Sequence, residues 1–429
     1  MKRILRLKLR IMARWILKKY HPVVIGVTGS IGKTSTKEAI YEVLQDKLRV
    51  RTSIKNYNNE IGLPLTIIGQ ESPGKDLLGW INVFFQALWL CLFKTKKYPQ
   101  VLVLEMGVDR PGDMNYLTKI APVNIGVVTT VSYSHLEYFG SVLNIKKEKQ
   151  RLIEALEPKG LAILNFDNEH TREMMEISQA RTLSYGLNPG ADIQAQDIVY
   201  NFTKEGYDLF GINFKLNYRG SIVPVVMKNV MAETAIYAAL AAAAVATYFD
   251  FNLVEIAQAL SNFSLPKSRM NLLSGVKHTF IIDDTYNSSP EAALAAINVL
   301  GKIKVDETAK KYAVLGDMLE IGSYTEEGHQ LVGKKVVTSG IDYLIAVGEK
   351  ARDFIRGAKE AGMEDDYIFY FDKPDEAARF LQNRIKAGDV LLVKGSQGAR
   401  MEKVVKELMS EPERADELIV RQDPEWLNK

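Results

Sequence analysis

Val23 to Glu38 reads VVIGVTGSIGKTSTKE. A β-branched run, Val23, Val24 and Ile25, meets a turn carrying Gly26, Gly29 and Gly32, and a helical pattern opens at Lys33-Thr34-Ser35-Thr36. Ala39, Ile40, Val43 and Leu44 follow at the spacing of one helix face, so the context is strand, loop, helix. Glycines in such a turn let backbone N–H groups close on phosphate oxygens, and the helix N-terminus adds its partial positive charge. Gly29, Ser30, Gly32 and Ser35 are therefore candidate phosphate contacts. Lys33 is placed to reach the β- and γ-phosphates of a nucleotide, and the Thr34 hydroxyl to take a Mg²⁺ ligand position. The glycine spacing differs from the usual G-x4-G-K-[ST], and a glycine-rich structural turn is the competing reading.

The 429 residues exceed one ordinary core, so two or three domains are expected. A hydrophobic fraction of 47% with 25% charged residues is that of a soluble globular chain. The single cysteine, Cys91, excludes an internal disulfide and a four-cysteine zinc site, and suits a reducing cytoplasm. Lys2, Arg3, Arg6, Lys8, Arg10, Arg14, Lys18 and Lys19 form a basic leader without an acid. These eight exceed the whole net charge of +3, which leaves the remainder mildly acidic and argues against a nucleic-acid surface.

Residues 1–22 do not read as a signal peptide, because charge interrupts the apolar residues. At helical spacing Ile4, Leu5, Ile11, Met12, Trp15 and Ile16 share one side, and Lys2, Arg3, Arg6, Arg10 and Arg14 the other. A helix on an anionic membrane surface and a helix packed on the nucleotide domain both fit. Residues 77–93, LLGWINVFFQALWLCLF, carry no charge and are too short to span a bilayer. Gly79, Asn82 and Gln86 share a face, which predicts an amphipathic helix. Core packing, peripheral membrane contact and a partner surface are all open to it.

Val101–Leu104, Ile125–Val131 and Leu161–Leu164 read as buried parallel strands, each delivering polar groups at its end: Glu105, then Ser134 and His135, then Asn165 and Asp167. That is an open α/β sheet with its site at one edge. Asp192–Val226 reads as an antiparallel excursion and Ala232–Tyr248 as a helix. Beyond Leu265-Pro266-Lys267, strands at Thr279–Ile282, Tyr312–Leu315, Tyr343–Val347, Tyr367–Phe371 and Val390–Val393 alternate with helices, a second α/β unit. The expected division is a leader at 1–22, a nucleotide-binding domain at 23–265 with the apolar insertion 77–93, a C-terminal domain at 266–410, and a charged, partly ordered tail at 411–429.

Glu105 at a strand end is a candidate Mg²⁺ carboxylate, since a buried acid must be paired or metal-bound. His135 ends the next strand, where a histidine is either a ligand or a packed residue. Asp283-Asp284-Thr285-Tyr286-Asn287, Gly316-Asp317 and Lys394-Gly395-Ser396 place polar clusters at three strand ends of the second unit. Singly these are turn formers; together they suggest a binding face that closes on the first domain.

These motifs resemble the Mur ligases, the ATP-dependent amide-forming enzymes of peptidoglycan synthesis. TGSIGKTST (28–36) resembles the family P-loop, and NYNNEIGLP (56–64), Glu105-Met106-Gly107 and SHLEYFGS (134–141) follow in family order. DDTYNSSP (283–290), LGDMLEIG (315–322) and VKGSQGARMEKVV (393–405) most resemble the branch that adds D-alanyl-D-alanine to UDP-N-acetylmuramoyl-tripeptide. The resemblance runs from Val23 to Leu408. It implies a central P-loop ATPase-like domain with a mostly parallel sheet and a Rossmann-like C-terminal domain. ATP, two Mg²⁺ sites and a role in cell wall biogenesis and cell shape, in the cytoplasm or at the inner face of the membrane, come with it.

By the same resemblance Lys33 and Thr34 serve the phosphates, Glu105 completes the first metal site, and His135 holds a second Mg²⁺. Lys149 matches the lysine that takes up CO₂ as a carbamate, turning a cation into a metal-binding anion. Arg269 and Asp284 match ATP contacts from the last domain, Asp284 at the ribose, with Tyr286 and Asn287 in the same motif. Lys33, His135 and Lys149 are the implied catalytic set. The implied reaction forms an acyl phosphate and ADP, after which an amine displaces phosphate.

Some positions depart from the family. Family members carry an N-terminal domain that binds the UDP-sugar, whereas residues 1–22 here read as a basic helix. A Gly-x-His-Asn signature stands as Ala232-Glu233-Thr234-Ala235, and the second asparagine of Asn-x-Asn-Pro is Ser289. Three readings follow: a short-form D-alanyl-D-alanine-adding ligase, a Mur-like ligase for another carboxylate such as a lipid-linked precursor, and a non-catalytic nucleotide-binding scaffold.

Overall fold

The computed structural model describes residues 2–53, 57–132, 136–201, 211–228, 230–423 and 426. Strands β1 (Val23–Thr28), β2 (Val50–Thr52), β3 (Val101–Glu105), β4 (Ile125–Val128), β5 (Leu161–Asn165), β6 (Arg181–Gly186), β7 (Ile193–Asn201), β8 (Gly211–Tyr218) and β9 (Ser221–Lys228) form one sheet. Its order is β2-β3-β1-β4-β5-β6-β7-β8-β9. It is parallel from β2 to β7, and β8 and β9 add the antiparallel excursion. The central strands are apolar throughout because helices cover both faces. Their residues alternate between two cores: Ile25, Val27, Val101 and Val103 join one, and Val24, Leu102 and Leu104 the other.

The first core is closed by α2 (Lys33–Leu44) and the buried alanine-rich helix Glu233–Tyr248. The second is closed by α1 (Lys2–Tyr20), α3 (Gly62–Ile68), α4 (Leu77–Leu92), α5 (Asp113–Ile120), the short α6 (Leu136–Phe139) and α7 (Val142–Glu154). Because β1 lies between β3 and β4, the chain leaving it enters the crevice where strand order reverses. The glycine-rich loop sits there.

A second sheet holds β10 (Asn271–Gly275), β11 (Thr279–Asp284), β12 (Lys311–Gly316), β13 (Tyr343–Val347), β14 (Ile368–Phe371) and β15 (Val390–Lys394), in the order β10-β11-β15-β12-β13-β14. All but β10 run parallel. The connection into it is strained. Ser268 and Met270, either side of Arg269, both adopt left-handed backbone with φ 57.

Helix α1 packs on α3, α4 and α5 through Leu9, Ala13, Ile16 and Leu17. Arg6 pairs with Glu60 at 2.7 Å and Arg10 lies over the Tyr116 ring, so two of the expected solvent-side cations turn inward. Ile4, Ile11 and Trp15 instead face solvent. Helix α4 departs from its expected amphipathic form. Val83, Ala87 and Leu90 are buried, yet Leu78, Ile81, Phe85, Leu88, Trp89 and Leu92 form an exposed stripe. At 100° per residue Gly79, Asn82 and Gln86 fall on the flank between the two apolar faces.

The segment after Leu408 is held to the second sheet. Ala415 and Ile419 are buried, and Arg421 donates to the Thr285 and Tyr286 carbonyls while pairing with buried Glu402 at 3.0 Å. Arg421→Met leaves those acceptors without their donor, although Arg400 still reaches Glu402 at 2.6 Å. A loss of about 3 kcal/mol is expected, read by urea unfolding.

Candidate active site

The P-loop geometry follows from its glycines. Gly29 has φ 150, and a Cβ there would come within 1.8 Å of Thr129 Oγ1. Thr129 in turn donates to the Ile31 carbonyl at 2.6 Å, tying the loop to the end of β4. Gly32 is left-handed (φ 83) and no side chain caps α2, so the first N–H groups of that helix open into the space above the loop. Ser30 is partly committed elsewhere: its hydroxyl donates to the Ser132 carbonyl at 3.0 Å. Lys33 folds back, its Nζ donating to the carbonyls of Gly29 (2.7 Å) and Ser30 (3.3 Å). Burial lowers its pKa, with Glu105 and Asp109 opposing and Arg269 adding to the shift.

Glu105, buried at the end of β3, accepts from Thr34 Oγ1 at 3.0 Å and from Asn58 Nδ2 at 3.4 Å. Arg269 crosses from the second sheet: one guanidinium nitrogen reaches Thr34 Oγ1 at 3.4 Å and the group stacks on Tyr286 at 4.0 Å. Its Nε is buried with no hydrogen-bond partner among the described residues. Asp284 pairs with buried Lys394 at 2.5 Å, and Lys394 also donates to the Asn287 carbonyl at 3.0 Å. Together these line a cavity of about 420 Å³ between the two sheets. Ser30, Gly32, Lys33, Thr34, Ser35, Glu105, Arg269, Asp284, Tyr286 and Asn287 all line it. Ala232, Glu233, Thr234 and Ser289, the departures from the family motifs, line it too.

Three expected residues stand apart: Gly29, which packs against Thr129 and is not in that lining, and two others. His135 lies outside the described residues. Lys149 is on α7, buried at 2% exposure, and is not among the residues lining the cavity. Its pKa is lowered well below the ordinary lysine value by burial first and by Lys33 second, with Asp109 and Glu148 opposing. Among 146–151, KKEKQR, it is thus set apart from the exposed Lys147. Its neighbour Glu148 is buried for a different reason: it accepts from the backbone N–H of Gly112 (3.0 Å) and Met114 (2.8 Å), capping α5.

Sequence reasoning did not assign Asn58 or Asp109 to the site, and it placed Lys394 only within a strand-end cluster of the suggested binding face. Asn58 and Lys394 were inside quoted motifs, and a lysine ending an apolar strand was the available signal for Lys394. Of the three strand-end clusters in the second sheet, two line the cavity. Asp317 instead holds the Ala351 N–H at 2.8 Å and lines a separate crevice with Gly348. Asp167 likewise serves structure, accepting from Leu187 N–H at 2.6 Å and Tyr237 Oη at 2.9 Å.

Asp283 is fully buried, accepting from Ser268 Oγ (2.6 Å) and Thr285 Oγ1 (2.7 Å), and burial raises its pKa from 3.8 to about 6. An acid whose folded pKa is raised binds its proton more tightly in the folded state. Its stabilising contribution is present below 3.8 and is lost as pH rises through about 6. Relative to Asp283→Asn, the wild type is expected to lose about 2–3 kcal/mol across that window, measured by urea unfolding at both ends.

Comparison with known proteins matches residues 27–75 and 87–246 to the Mur ligase middle domain. Residues 268–397 match the Mur ligase glutamate ligase domain. The UDP-N-acetylmuramoyl-tripeptide–D-alanyl-D-alanine ligase of Bacillus subtilis is 30% identical over 402 residues, spanning 94% of this chain and 79% of that protein. The chain belongs to the Mur ligase family. Among solved structures, a MurF ligase from Thermotoga maritima in complex with ADP superposes with a TM-score of 0.78 at 29% identity, covering 95% of this chain and 84% of that one. MurF from Acinetobacter baumannii gives 0.77 at 25% identity, covering 93% and 79%. Both Mur ligase domains contribute to the cavity, the middle domain through the P-loop and Glu105, and the C-terminal domain through Arg269 and Asp284. The middle-domain match skips residues 76–86, which hold the first part of α4.

Proposed function

We propose that this Mur ligase is an ATP-dependent, ADP-forming ligase that adds D-alanyl-D-alanine to UDP-N-acetylmuramoyl-tripeptide in peptidoglycan precursor synthesis. The observation that carries this reading is Arg269 of the second sheet meeting Thr34 of the P-loop across the cavity. Phosphate groups fit there. The uncapped α2 N-terminus and the unpartnered Arg269 Nε are donors free for an anion, and Lys33, folded back on its loop, adds positive charge beside them. The 30% identity to the Bacillus subtilis ligase supports the choice of substrate.

In the first half-reaction the substrate carboxylate attacks the γ-phosphorus and the bond to the ADP oxygen breaks, giving an acyl phosphate. Lys33 moves from its loop carbonyls to the phosphoryl oxygens, where its charge is needed. Arg269 offsets charge from the opposite wall, and Asp284 orients the nucleoside end. In the second, the amine forms the C–N bond, loses a proton and expels phosphate.

Among the described residues no three His, Cys, Asp or Glu side chains gather as a metal site. The oxygens of Thr34 and Glu105 nevertheless suit Mg²⁺, which takes one or two carboxylates together with substrate phosphates. Bound there, it would offset phosphate charge. Lys149 suits CO₂ uptake: its lowered pKa favours the neutral amine, which attacks the carbon, forms an N–C bond and releases a proton. The resulting carbamate and His135 would hold a second Mg²⁺.

Phosphate release with Mg-ATP and bicarbonate, omitting each substrate in turn, tests the reading. Release that requires both, with the joined pentapeptide seen by mass spectrometry, is expected. ATP binding without release would overturn it.

A further inference from the structure

Helices α1 and α4 pack on the same core and against each other. Lys19 Nζ donates to the Leu90 and Cys91 carbonyls at 3.1 and 3.0 Å, and Tyr20 Oη to the Phe93 carbonyl at 2.8 Å. With their inner faces occupied, their outer faces form one layer turned away from that core. On α1 this layer exposes Ile4, Leu7, Ile11 and Trp15; on α4 it is the stripe from Leu78 to Leu92, with Phe85 66% exposed. Large apolar side chains in such a contiguous array mark an interaction surface.

Charge identifies the occupant. Lys8, Arg14 and Lys18 on α1 and Lys94, Lys96 and Lys97 after α4 are exposed, and none pairs with an acid among the described residues. Neither residues 2–20 nor residues 77–97 contain an Asp or Glu. A two-fold contact between copies would set this basic rim against itself, a like-charge juxtaposition. Anionic phospholipid headgroups meet it with opposite charge. No helix among the described residues is long and apolar enough to cross a membrane, so the layer can lie on a bilayer but not span it. The middle-domain match is interrupted at 76–86, within the first part of α4.

We infer that the α1–α4 layer is a peripheral docking surface for anionic lipid bilayers. Its apolar side chains enter the acyl boundary, and the six cations sit at headgroup depth. This inference stands independently of the ligase reading.

Flotation of the full chain with phosphatidylcholine vesicles and with phosphatidylcholine–phosphatidylglycerol vesicles tests it, alongside light scattering without lipid. Flotation with the phosphatidylglycerol vesicles, weakened by salt, is expected. The double substitution Ile81→Asp and Phe85→Asp is expected to lower partition by about tenfold or more, with an unchanged thermal melt as the check on folding. Reversing Lys94, Lys96 and Lys97 to glutamate is expected to lower partition to the anionic vesicles about a hundredfold, and to change that to neutral vesicles little. Failure of the wild type to float with anionic vesicles overturns the inference. So does a lipid-indifferent dimer that Ile81→Asp and Phe85→Asp disperse, since that assigns the surface to a second copy.

Discussion

Lys33→Met is expected to lower the rate of phosphate release by about a thousandfold and to leave the unfolding midpoint nearly unchanged. The split follows from what Lys33 touches. Its ammonium group rests on two carbonyls of its own loop and forms no ion pair with the described residues that would be orphaned. Methionine keeps the stem and the helix propensity of α2 while removing only the charge. That charge matters when the phosphoryl group is in flight, because the lysine's contribution to ground-state packing is small. Single-turnover phosphate release beside a thermal melt measures both halves. A variant that melts early would mark Lys33 as a structural residue; one that turns over normally would remove the P-loop from the chemistry.

Lys149→Met carries the second large effect, a loss of about a hundredfold in turnover together with the loss of any response to bicarbonate. A lysine at 2% exposure that also feels the charge of Lys33 is poorly placed to stay protonated. Converting it to a carbamate removes the repulsion from Lys33 and replaces it with attraction. Wild-type activity is therefore expected to fall in CO₂-depleted buffer and to return on adding bicarbonate, while the variant stays flat in both. Equal wild-type activity in the two buffers would show that Lys149 acts unmodified. The methionine is expected to be tolerated, because the described residues around Lys149 accept no hydrogen bond from its Nζ.

Much of this architecture was readable from residue patterns. Val101–Leu104, Leu161–Leu164 and Val390–Val393 are apolar runs with no competing reading, and each became a buried strand of a parallel sheet. Strands β2, β6 and β10 escaped notice for a physical reason. Val50–Thr52 is three residues long, Arg181–Gly186 has no apolar run, and Asn271–Gly275 is an edge strand whose pairing comes from β11. The site divides the same way. The P-loop and Glu105 were legible because a phosphate cradle leaves a local signature. Asn58 and Asp109 become site residues only when chain segments distant in sequence converge. Burial of Lys149 was likewise invisible in KKEKQR, where charge density pointed to solvent.

The two-sided character of α4 bears on how the protein can be handled. A helix with two apolar faces is stable only when both are covered, by a core or by lipid, and α1 supplies part of that core. Trimming residues 1–20 as though they were a loose appendage would strip the cover from the inner face of α4 while its outer face is already bare. The shortened chain would then offer two sticky surfaces in place of one. Soluble preparations are therefore better sought by keeping the first helix and placing polar residues at positions 81 and 85, or by supplying a mild detergent that stands in for the bilayer.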